Sequence, residues 1–454
     1  MTSATLKQTV YSCCPQIVRP YWDRIDASAL GRRLARGIFW SVAGAVTSRG
    51  LTLLSSVFVA RMLEPEGFGQ LGMLRGTVEM FGIFAGFGLG VTATKYVAQF
   101  RKTDPLRAGR IIAMSSLVAW LTGGLMAIML AVMAPWLATH TLAAPHLAGL
   151  LQVGCLLLLL NALNGAQTGA LAGFEAFRSI AQVNVVVGLA SFPILIAGAY
   201  LGGLNGEVWA LVATWTINWG LNHMVLRREL FRAGVPCGFA GCLRESNILW
   251  RFSLPAVLCG MLAGPVNWIC CAMLVNQPNG YSEMGVYSAA NQWFGAILFL
   301  PGLLGNVVLP VLSHEVNQVD RGKSRRVLRL SVMLNAMLVL PVVVVGCLAS
   351  PWIMSVYSQG FAAQWKILVV VFITGGILAV QYPVAFALTA AGRIWANATI
   401  NLLWAVTFVT VTYFFLDHGA IGLAGARAIA YLVNLGLVCG YAHGLNRDQD
   451  KFAR

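Results

Sequence analysis

The sequence predicts an all-α polytopic membrane protein whose helices form two units of six. Three observations carry this prediction: the composition, a series of twelve apolar runs, and an internal repeat at an offset of 216 residues. Of the 454 residues, 58% are hydrophobic and 10% are charged, whereas an ordinary soluble domain is about 25% charged. This composition leaves too little polar surface for a soluble fold of this length.

The twelve apolar runs each have about the 20 residues that a helix needs to cross some 30 Å of hydrocarbon. The predicted transmembrane spans cover residues 37–60, 69–92, 110–133, 148–171, 179–200, 207–226, 252–275, 285–312, 327–349, 366–388, 395–416 and 419–442. The first 36 residues are basic and lack the apolar core of a signal peptide, so we expect the first span to direct membrane insertion.

The net charge of +15 is distributed in a way that predicts orientation. Of the 31 Lys and Arg, 26 fall in alternate connections that include both chain ends, and only Arg61 and Lys366 fall in the opposite connections. By the positive-inside rule both termini are cytoplasmic. Cations divided in this way do not indicate a nucleic-acid partner, which would need them on one face or tail. The ten cysteines have neither a disulfide framework nor metal-ligand spacing, so no metal site is predicted.

The internal repeat aligns short motifs from the two halves of the chain. The aligned segments are Phe68-Gly69-Gln70-Leu71 with Met284-Gly285-Val286-Tyr287, Pro135-Trp136 with Pro351-Trp352, Asn218 with Asn434 and, at an offset of 217, Asn184 with Asn401. Six spans is an even number, so both units enter the membrane in the same orientation. They are then related by a pseudo-twofold axis along the membrane normal, and repeat transporters bind their substrates between such units.

This repeat divides the chain into five predicted regions. They are a cytoplasmic segment at 1–36, an N-lobe at 37–226, a cytoplasmic linker at 227–251, a C-lobe at 252–442 and a cytoplasmic tail at 443–454.

Four charged residues are predicted to lie within the membrane: Arg49, Arg75, Arg427 and Glu79. A charge at the centre of a span costs about 2.5–3.5 kcal/mol, so each one needs a partner or a function. Glu79 is the only acidic residue well inside a predicted span, and a local ion pair with Arg75 is one alternative. For Arg427, snorkelling to the headgroups is an alternative to lining a cavity. The three arginines have no charged counterparts in the other half, which favours function over scaffold.

The stretch Ala60-Arg61-Met62-Leu63-Glu64-Pro65-Glu66-Gly67-Phe68-Gly69, with Gly86-Phe87-Gly88-Leu89-Gly90 after it, resembles the N-terminal signature of bacterial polysaccharide-export flippases. These form the Wzx-like polysaccharide transporter branch of the MOP superfamily, and Glu283-Met284-Gly285-Val286-Tyr287-Ser288-Ala289-Ala290 resembles their hallmark at the eighth span. The resemblance implies a MATE-like fold in the bacterial inner membrane, surrounded by membrane lipid. It implies a transporter, not an enzyme, that flips a polyprenyl-pyrophosphate-linked oligosaccharide for O-antigen, capsule or exopolysaccharide synthesis. A polysaccharide polymerase and glycosyltransferases are the implied protein partners.

A pyrophosphate cargo assigns roles to the charges. Arginine offers a fork of donors that matches phosphate, so Arg49, Arg75 and Arg427 are the candidate ligands. Glu79 is the candidate site for a coupling ion, H⁺ or Na⁺; no other cofactor and no catalytic residue is predicted. Polar and aromatic residues that suit a glycan cavity are Asn161, Asn164, Thr168, Trp268, Asn291, Gln292 and Trp293. The alternative for these residues is helix-to-helix packing within the membrane.

Two other functions compete with flipping. A MATE-type drug or cation antiporter would need acidic residues in its spans, whereas the sequence offers three arginines against Glu79. A membrane polysaccharide polymerase or ligase commonly carries a large outer loop with catalytic groups. The outer connections here are short, and the longest, around 15 residues, holds no pair of carboxylates.

Overall fold

The computed structural model describes residues 29–86, 88–236, 238, 241–245, 261–317, 321–390 and 394–451. Within these ranges all regular secondary structure is helical and no strand occurs. In hydrocarbon each backbone N–H and C=O needs a partner, and an apolar helix satisfies them within one segment. The all-helical prediction is confirmed. Parts of the predicted N-terminal segment (1–28), the linker (246–251), the seventh span (252–260) and the tail (452–454) lie outside the described residues.

We number the α-helices in chain order. They are α1 (Ala29–Gly86), α2 (Leu89–Phe100), α3 (Pro105–Trp136), α4 (Ala148–Gly173), α5 (Phe177–Ala233), α6 (Ala263–Val275), α7 (Gly280–Asn317), α8 (Arg321–Tyr357), α9 (Gln359–Ala362), α10 (Trp365–Ala390), α11 (Ile394–Phe415) and α12 (Gly419–Lys451). Short π or 3₁₀ turns occur at Leu137–Thr141, Pro145–Leu147, Cys242–Glu245 and Leu416–His418.

Seven helical stretches in the described ranges are long and apolar enough to cross a membrane. Two of them, Gly44–Phe100 and Phe177–Ala233, have 57 residues each, which is roughly 85 Å of straight helix against about 30 Å of hydrocarbon. Both stretches are broken by a residue with left-handed φ, Glu64 at 56° and Gly203 at 54°. The count of twelve spans is finer than this description and stays a prediction.

The predicted second span, 69–92, is interrupted where the sequence expected a continuous helix. Helix α1 ends at Gly86, Gly88 has a left-handed φ of 62°, and α2 begins at Leu89. Only glycine adopts this backbone conformation without strain. Just beyond the break, Gly90 of α2 and Gly169 of α4 pack backbone against backbone, with no room for a Cβ at Gly169. The glycines of this motif therefore serve a turn and a close helix contact.

Candidate functional site

A cavity of about 530 Å³ lies between helices of residues 37–226 and helices of residues 252–442, the sequence ranges predicted as the N-lobe and the C-lobe. Its walls come from α1, α6, α7 and α12, and we call it the central cavity. The predicted site residues on its wall are Arg75, Glu79, Trp268, Asn291, Gln292 and Arg427. These six residues span more than 350 positions of the chain, and helix packing brings them together.

Arg75 forms an ion pair with Glu207 of α5, a residue that the sequence argument did not select. The distance from Nη2 to Oε1 is 3.2 Å; the side chain of Glu207 is 0% exposed and that of Arg75 is 31% exposed. In the part of the chain that the structure describes, the second carboxylate oxygen of Glu207 and Nε of Arg75 are buried without a hydrogen-bond partner. Among the described residues, the ion pair of Arg75 is with Glu207 and no direct ion pair joins Arg75 to Glu79.

Glu207 was missed because it is the first residue of a predicted span, where a carboxylate reaches water. In the structure the chain turns back at Gly203, and Gly198 and Gly206 pack backbone against backbone on the two sides of the turn. This close approach buries Glu207 inside the bundle. Glycines on both sides of a short turn were the available signal, because only they permit such contact.

Arg427 is buried in the C-lobe, with 6% of its surface exposed. Its Nη1 donates to Oδ1 of Asn291 at 2.6 Å and to the hydroxyl of Tyr287 at 3.1 Å. The guanidinium carbon lies 3.6 Å from the ring centroid of Phe294, a cation–π contact. The snorkelling alternative is therefore wrong. In the described part of the chain, Arg427 has no ion pair with an acidic residue, and its Nε is unpartnered.

Arg49 extends from α1 to the C-lobe. Its side chain is exposed, its Nη1 donates to the carbonyl of Gly295 at 3.0 Å, and its guanidinium lies 5.0 Å from the ring centroid of Phe299. Gly295 lines the central cavity. Arg49 thus reaches the border of that cavity and joins the two lobes there.

Two of the predicted glycan residues on the central cavity also bridge the lobes. Trp268 donates its indole N–H to the hydroxyl of Thr77 at 2.9 Å, and Gln292 is hydrogen-bonded to Ser56. Both contacts join a C-lobe side chain to α1. A ligand in the cavity would compete with or extend these hydrogen bonds.

Three other predicted glycan residues, Asn164, Trp293 and Thr168, lie away from the central cavity. Asn164 is buried and donates to the carbonyls of Leu160 and Trp215, so its amide joins helices of the N-lobe, while its oxygen accepts from Asn222 at 3.0 Å. Trp293 donates to the hydroxyl of Tyr357 at 3.1 Å, on the C-lobe core. Thr168 is half-buried on α4 and does not line the central cavity.

A second cavity, of about 410 Å³, lies within the N-lobe, and we call it the N-lobe cavity. Asn161 lies on its wall with Trp215 and Asn218. Arg75 and Glu79 line both this cavity and the central cavity. These two charged side chains therefore lie between the two cavities. A change in the charge of either side chain affects both cavities.

The two copies of the repeat motif pack against each other at one end of the central cavity. Gly69 lies against the backbone of Tyr281 and Gly285, and Gly285 lies against the backbone of Pro65. An offset of 216 relates Gly69 to Gly285 and Pro65 to Tyr281, so the contact is symmetric. A Cβ at either glycine would overlap the backbone of the other lobe. We call this contact the repeat seal.

Hydrogen bonds flank the repeat seal in the same symmetric way. Arg61 donates Nε to the carbonyl of Tyr357 at 3.1 Å, and Asn276 donates to the carbonyl of Thr141 at 2.7 Å. Thr141 and Tyr357 are 216 residues apart, and Arg61 and Asn276 are 215 apart. The repeat seal thus has the self-complementary character of a twofold interface, in which each contact occurs twice.

A sequence profile of the polysaccharide biosynthesis protein family matches residues 34–315. The chain belongs to this family. Among relatives in the same group, the EPS I polysaccharide export inner membrane protein EpsE of Ralstonia nicotianae is 25% identical over 413 residues, covering 86% of this chain and 90% of its own. The lipid III flippase of Escherichia coli is 24% identical over 426 residues, covering 90% of this chain and 97% of its own.

Solved structures show the same fold for this family member. A multidrug resistance MATE transporter of the MOP superfamily in its inward-facing conformation has a TM-score of 0.69 at 14% identity, over 90% of this chain and 99% of the transporter. The lipid II flippase MurJ has a TM-score of 0.69 at 15% identity, over 89% of this chain and 87% of MurJ. The predictions of a polysaccharide family and of a MATE-like membrane fold are confirmed.

Proposed function

We propose that this chain flips a polyprenyl-pyrophosphate-linked oligosaccharide across the cytoplasmic membrane by alternating access. The observation that carries the proposal is Arg427, a buried guanidinium on the wall of the central cavity whose hydrogen-bond partners in the described residues are neutral. A buried charge is strongly destabilising without a counter-charge. A phosphate entering the cavity supplies that counter-charge and accepts several hydrogen bonds from one guanidinium.

The charge balance of the cavity supports an anionic cargo. Glu207 adds one acidic group to the sequence-based count, but it is fully buried and paired with Arg75. The cavity wall itself carries Arg75 and Arg427 against Glu79. An antiporter for organic cations would need more carboxylates than arginines on this wall, so the charge balance favours the pyrophosphate cargo.

The arrangement suggests how the cargo is held. Arg75 comes from the N-lobe and Arg427 from the C-lobe, so a pyrophosphate between them interacts with both lobes at once. Arg49 adds a third cation at the border of the cavity. The lipid tail stays in the bilayer, and the glycan meets Trp268, Asn291 and Gln292. A polysaccharide polymerase and glycosyltransferases remain the proposed partners of this step.

The topology we propose has twelve spans in two six-helix lobes, with a pseudo-twofold axis along the membrane normal and both termini in the cytoplasm. The chain breaks at Glu64 and Gly203 and the symmetry of the repeat seal support it. The repeat seal then lies at the outer face, because Arg61 belongs to an outer connection. The conformation described is closed to the outside, and release of the cargo requires the repeat seal to open.

Glu79 is the proposed site of the coupling ion, H⁺ or Na⁺. Its place between the central and N-lobe cavities supports this role, because binding of an ion there changes the charge facing both spaces. Arg75, which stands one turn away and is held by Glu207, would respond to that change.

Replacing Arg427 with glutamine tests the proposed function directly. We expect translocation of a lipid-linked glycan by the protein in liposomes to fall by about tenfold to a hundredfold, because a hydrogen bond to a charged group contributes about 1.5–3 kcal/mol. Arg427→Lys is expected to retain part of the activity, since lysine keeps the positive charge but lacks the forked hydrogen-bond donors of the guanidinium. Arg232→Gln, at an exposed arginine on α5, is the matched control and stays near wild-type activity. Wild-type rates for Arg427→Gln would refute the proposed role.

The border residue Arg49 gives a second, cellular test. We expect Arg49→Ala to abolish surface polysaccharide in a strain that depends on this chain, while the protein still inserts into the membrane. The change removes both a cation at the cavity border and the contact with Gly295 between the lobes. Membrane fractionation and polysaccharide staining make the comparison, and normal export by this variant would argue against a role for Arg49.

A further inference from the structure

The C-lobe contains a cavity of its own, of about 240 Å³, which we call the C-lobe cavity. It lies among α10, α11, α12 and the start of α6, and it shares Ala263 with the central cavity. Its polar lining consists chiefly of Gln381, Asn397, Asn401, Trp404, Tyr431 and Asn434. No charged side chain is among the described residues that line it.

Two buried polar atoms on this wall have no hydrogen-bond partner among the described residues. Gln381 donates its amide N–H to Asn434, which leaves its carbonyl oxygen Oε1 unpaired, and the indole Nε1 of Trp404 is unpaired as well. Gln381 and Trp404 are each 4% exposed. One atom is an acceptor and the other is a donor. A hydroxyl group both donates and accepts, so a ligand with several hydroxyls satisfies both atoms.

The absence of charge on the described lining narrows the ligand further. A bound cation would need a carboxylate and a bound anion would need a cation, because an isolated charge is expensive to bury. Neutral amides, an indole and phenols suit a neutral ligand that is rich in hydroxyls. By chemical class this is a sugar residue without a carboxylate or an amino charge.

The sequence repeat relates this cavity to the N-lobe cavity. Asn434 and Tyr431 line the C-lobe cavity, and their counterparts at an offset of 216, Asn218 and Trp215, line the N-lobe cavity. The N-lobe version also holds Arg75 and Glu79. The same place in the two lobes is therefore charged in one and neutral in the other, which fits a cargo with a charged part and a neutral part.

Arg427 lines the central cavity and is linked by aromatic contacts to the wall of the C-lobe cavity. It stacks on Phe294, which lines the central cavity, and Tyr431 follows one turn later on α12. The ring of Tyr431 lies 6.3 Å from that of Phe294 and 5.4 Å from that of Trp404. The rings of Phe294, Tyr431 and Trp404 are thus in contact in series from the proposed phosphate ligand to the wall of the C-lobe cavity.

We propose that the C-lobe cavity binds one neutral sugar of the lipid-linked glycan, the residue adjacent to the pyrophosphate at Arg427. This inference rests on the proposed function and names the position of the sugar within it. The volume supports a single ring, because about 240 Å³ is below the 300–1,000 Å³ range of drug-sized pockets. The rest of the oligosaccharide stays in the central cavity.

Binding measurements on the full chain in lipid nanodiscs test the proposal. The probes are a short-chain polyprenyl pyrophosphate without a sugar, the same lipid with one neutral hexose, and the same lipid with one N-acetylhexosamine. We expect wild-type protein to bind at least one glycosylated probe about tenfold more tightly than the bare lipid, as one or two net hydrogen bonds provide. Trp404→Phe and Gln381→Met are expected to lose this increment and keep the wild-type affinity for the bare lipid.

The control variant is Trp136→Phe, the same substitution at an exposed tryptophan outside all three cavities, and it keeps the increment. Trp404→Phe removes the unpaired N–H and also part of a buried ring that packs on Phe408 and Tyr431, so its melting temperature is expected to fall. Wild-type affinity for the bare lipid shows that the variant is folded. Equal affinity of wild-type protein for bare and glycosylated lipids, or an increment that survives in both cavity variants, overturns the inference.

If the bare lipid does not bind at all, the proposed pyrophosphate site fails, and methyl glycosides of the same two sugars replace the lipids as probes. Millimolar binding that Trp404→Phe abolishes then supports the sugar site by itself. No binding of either glycoside to wild-type protein overturns it.

Discussion

Oxidation of a Gly72→Cys/Ser288→Cys variant is expected to abolish translocation of the lipid-linked glycan, and reduction is expected to restore it. A Cβ at Gly72 would lie 3.0 Å from Cβ of Ser288, and disulfides place these atoms about 3.5–4.5 Å apart, so a small local shift admits the bond. Gly72 belongs to α1 and Ser288 to α7, on opposite lobes. The disulfide therefore holds the repeat seal closed, and a cargo that leaves through this end cannot be released.

The controls for this experiment are the single variants Gly72→Cys and Ser288→Cys under the same oxidation, together with the wild-type protein, which contains the ten native cysteines. Each is expected to translocate at the same rate before and after oxidation, because the added cysteine lacks the partner placed opposite it. Intact-mass measurement after alkylation establishes how much of the double variant is cross-linked. A fully cross-linked protein that translocates at its reduced rate would exclude the repeat seal as the exit.

The second large effect concerns the ion pair of Arg75 and Glu207. We expect Arg75→Met to destabilise the protein by about 3 kcal/mol or more, because Glu207 is fully buried and would lose its counter-charge. The double variant Arg75→Met/Glu207→Gln is expected to recover part of this loss, since it buries no charge. Thermal unfolding in detergent is measured for the wild type, Arg75→Met, Glu207→Gln and the double variant, which together form a double-mutant cycle.

Activity separates the two roles of Arg75 in the same set of variants. If Arg75 also binds phosphate, the double variant regains stability but not translocation. Stability losses that simply add would contradict the ion pair. Recovery of both stability and translocation in the double variant would show that Arg75 acts only as the partner of Glu207.

Much of the fold was accessible from the sequence, because it depends on local properties. Apolar runs predict helices in a membrane, and Gly69 and Gly285 stood out as members of a repeated motif before their contact was known. The assignment of the charges was less successful. Arg427 was equally compatible with the membrane surface and with a cavity, because burial depends on the helices around it and not on its own neighbours in the chain. The break at Gly88 was also missed, since hydropathy does not report backbone conformation.

The sequence by itself determined the class of protein, its helical character, its repeat and the family it resembles. All four follow from composition, short motifs and spacing along one chain. Only the tertiary structure decided which polar side chains meet. Arg75 pairs with Glu207 across 132 residues, and Arg427 meets Asn291 across 136. Such contacts depend on where helices cross and on how closely glycines let them approach. A single sequence specifies neither the crossing points nor the distances between helices.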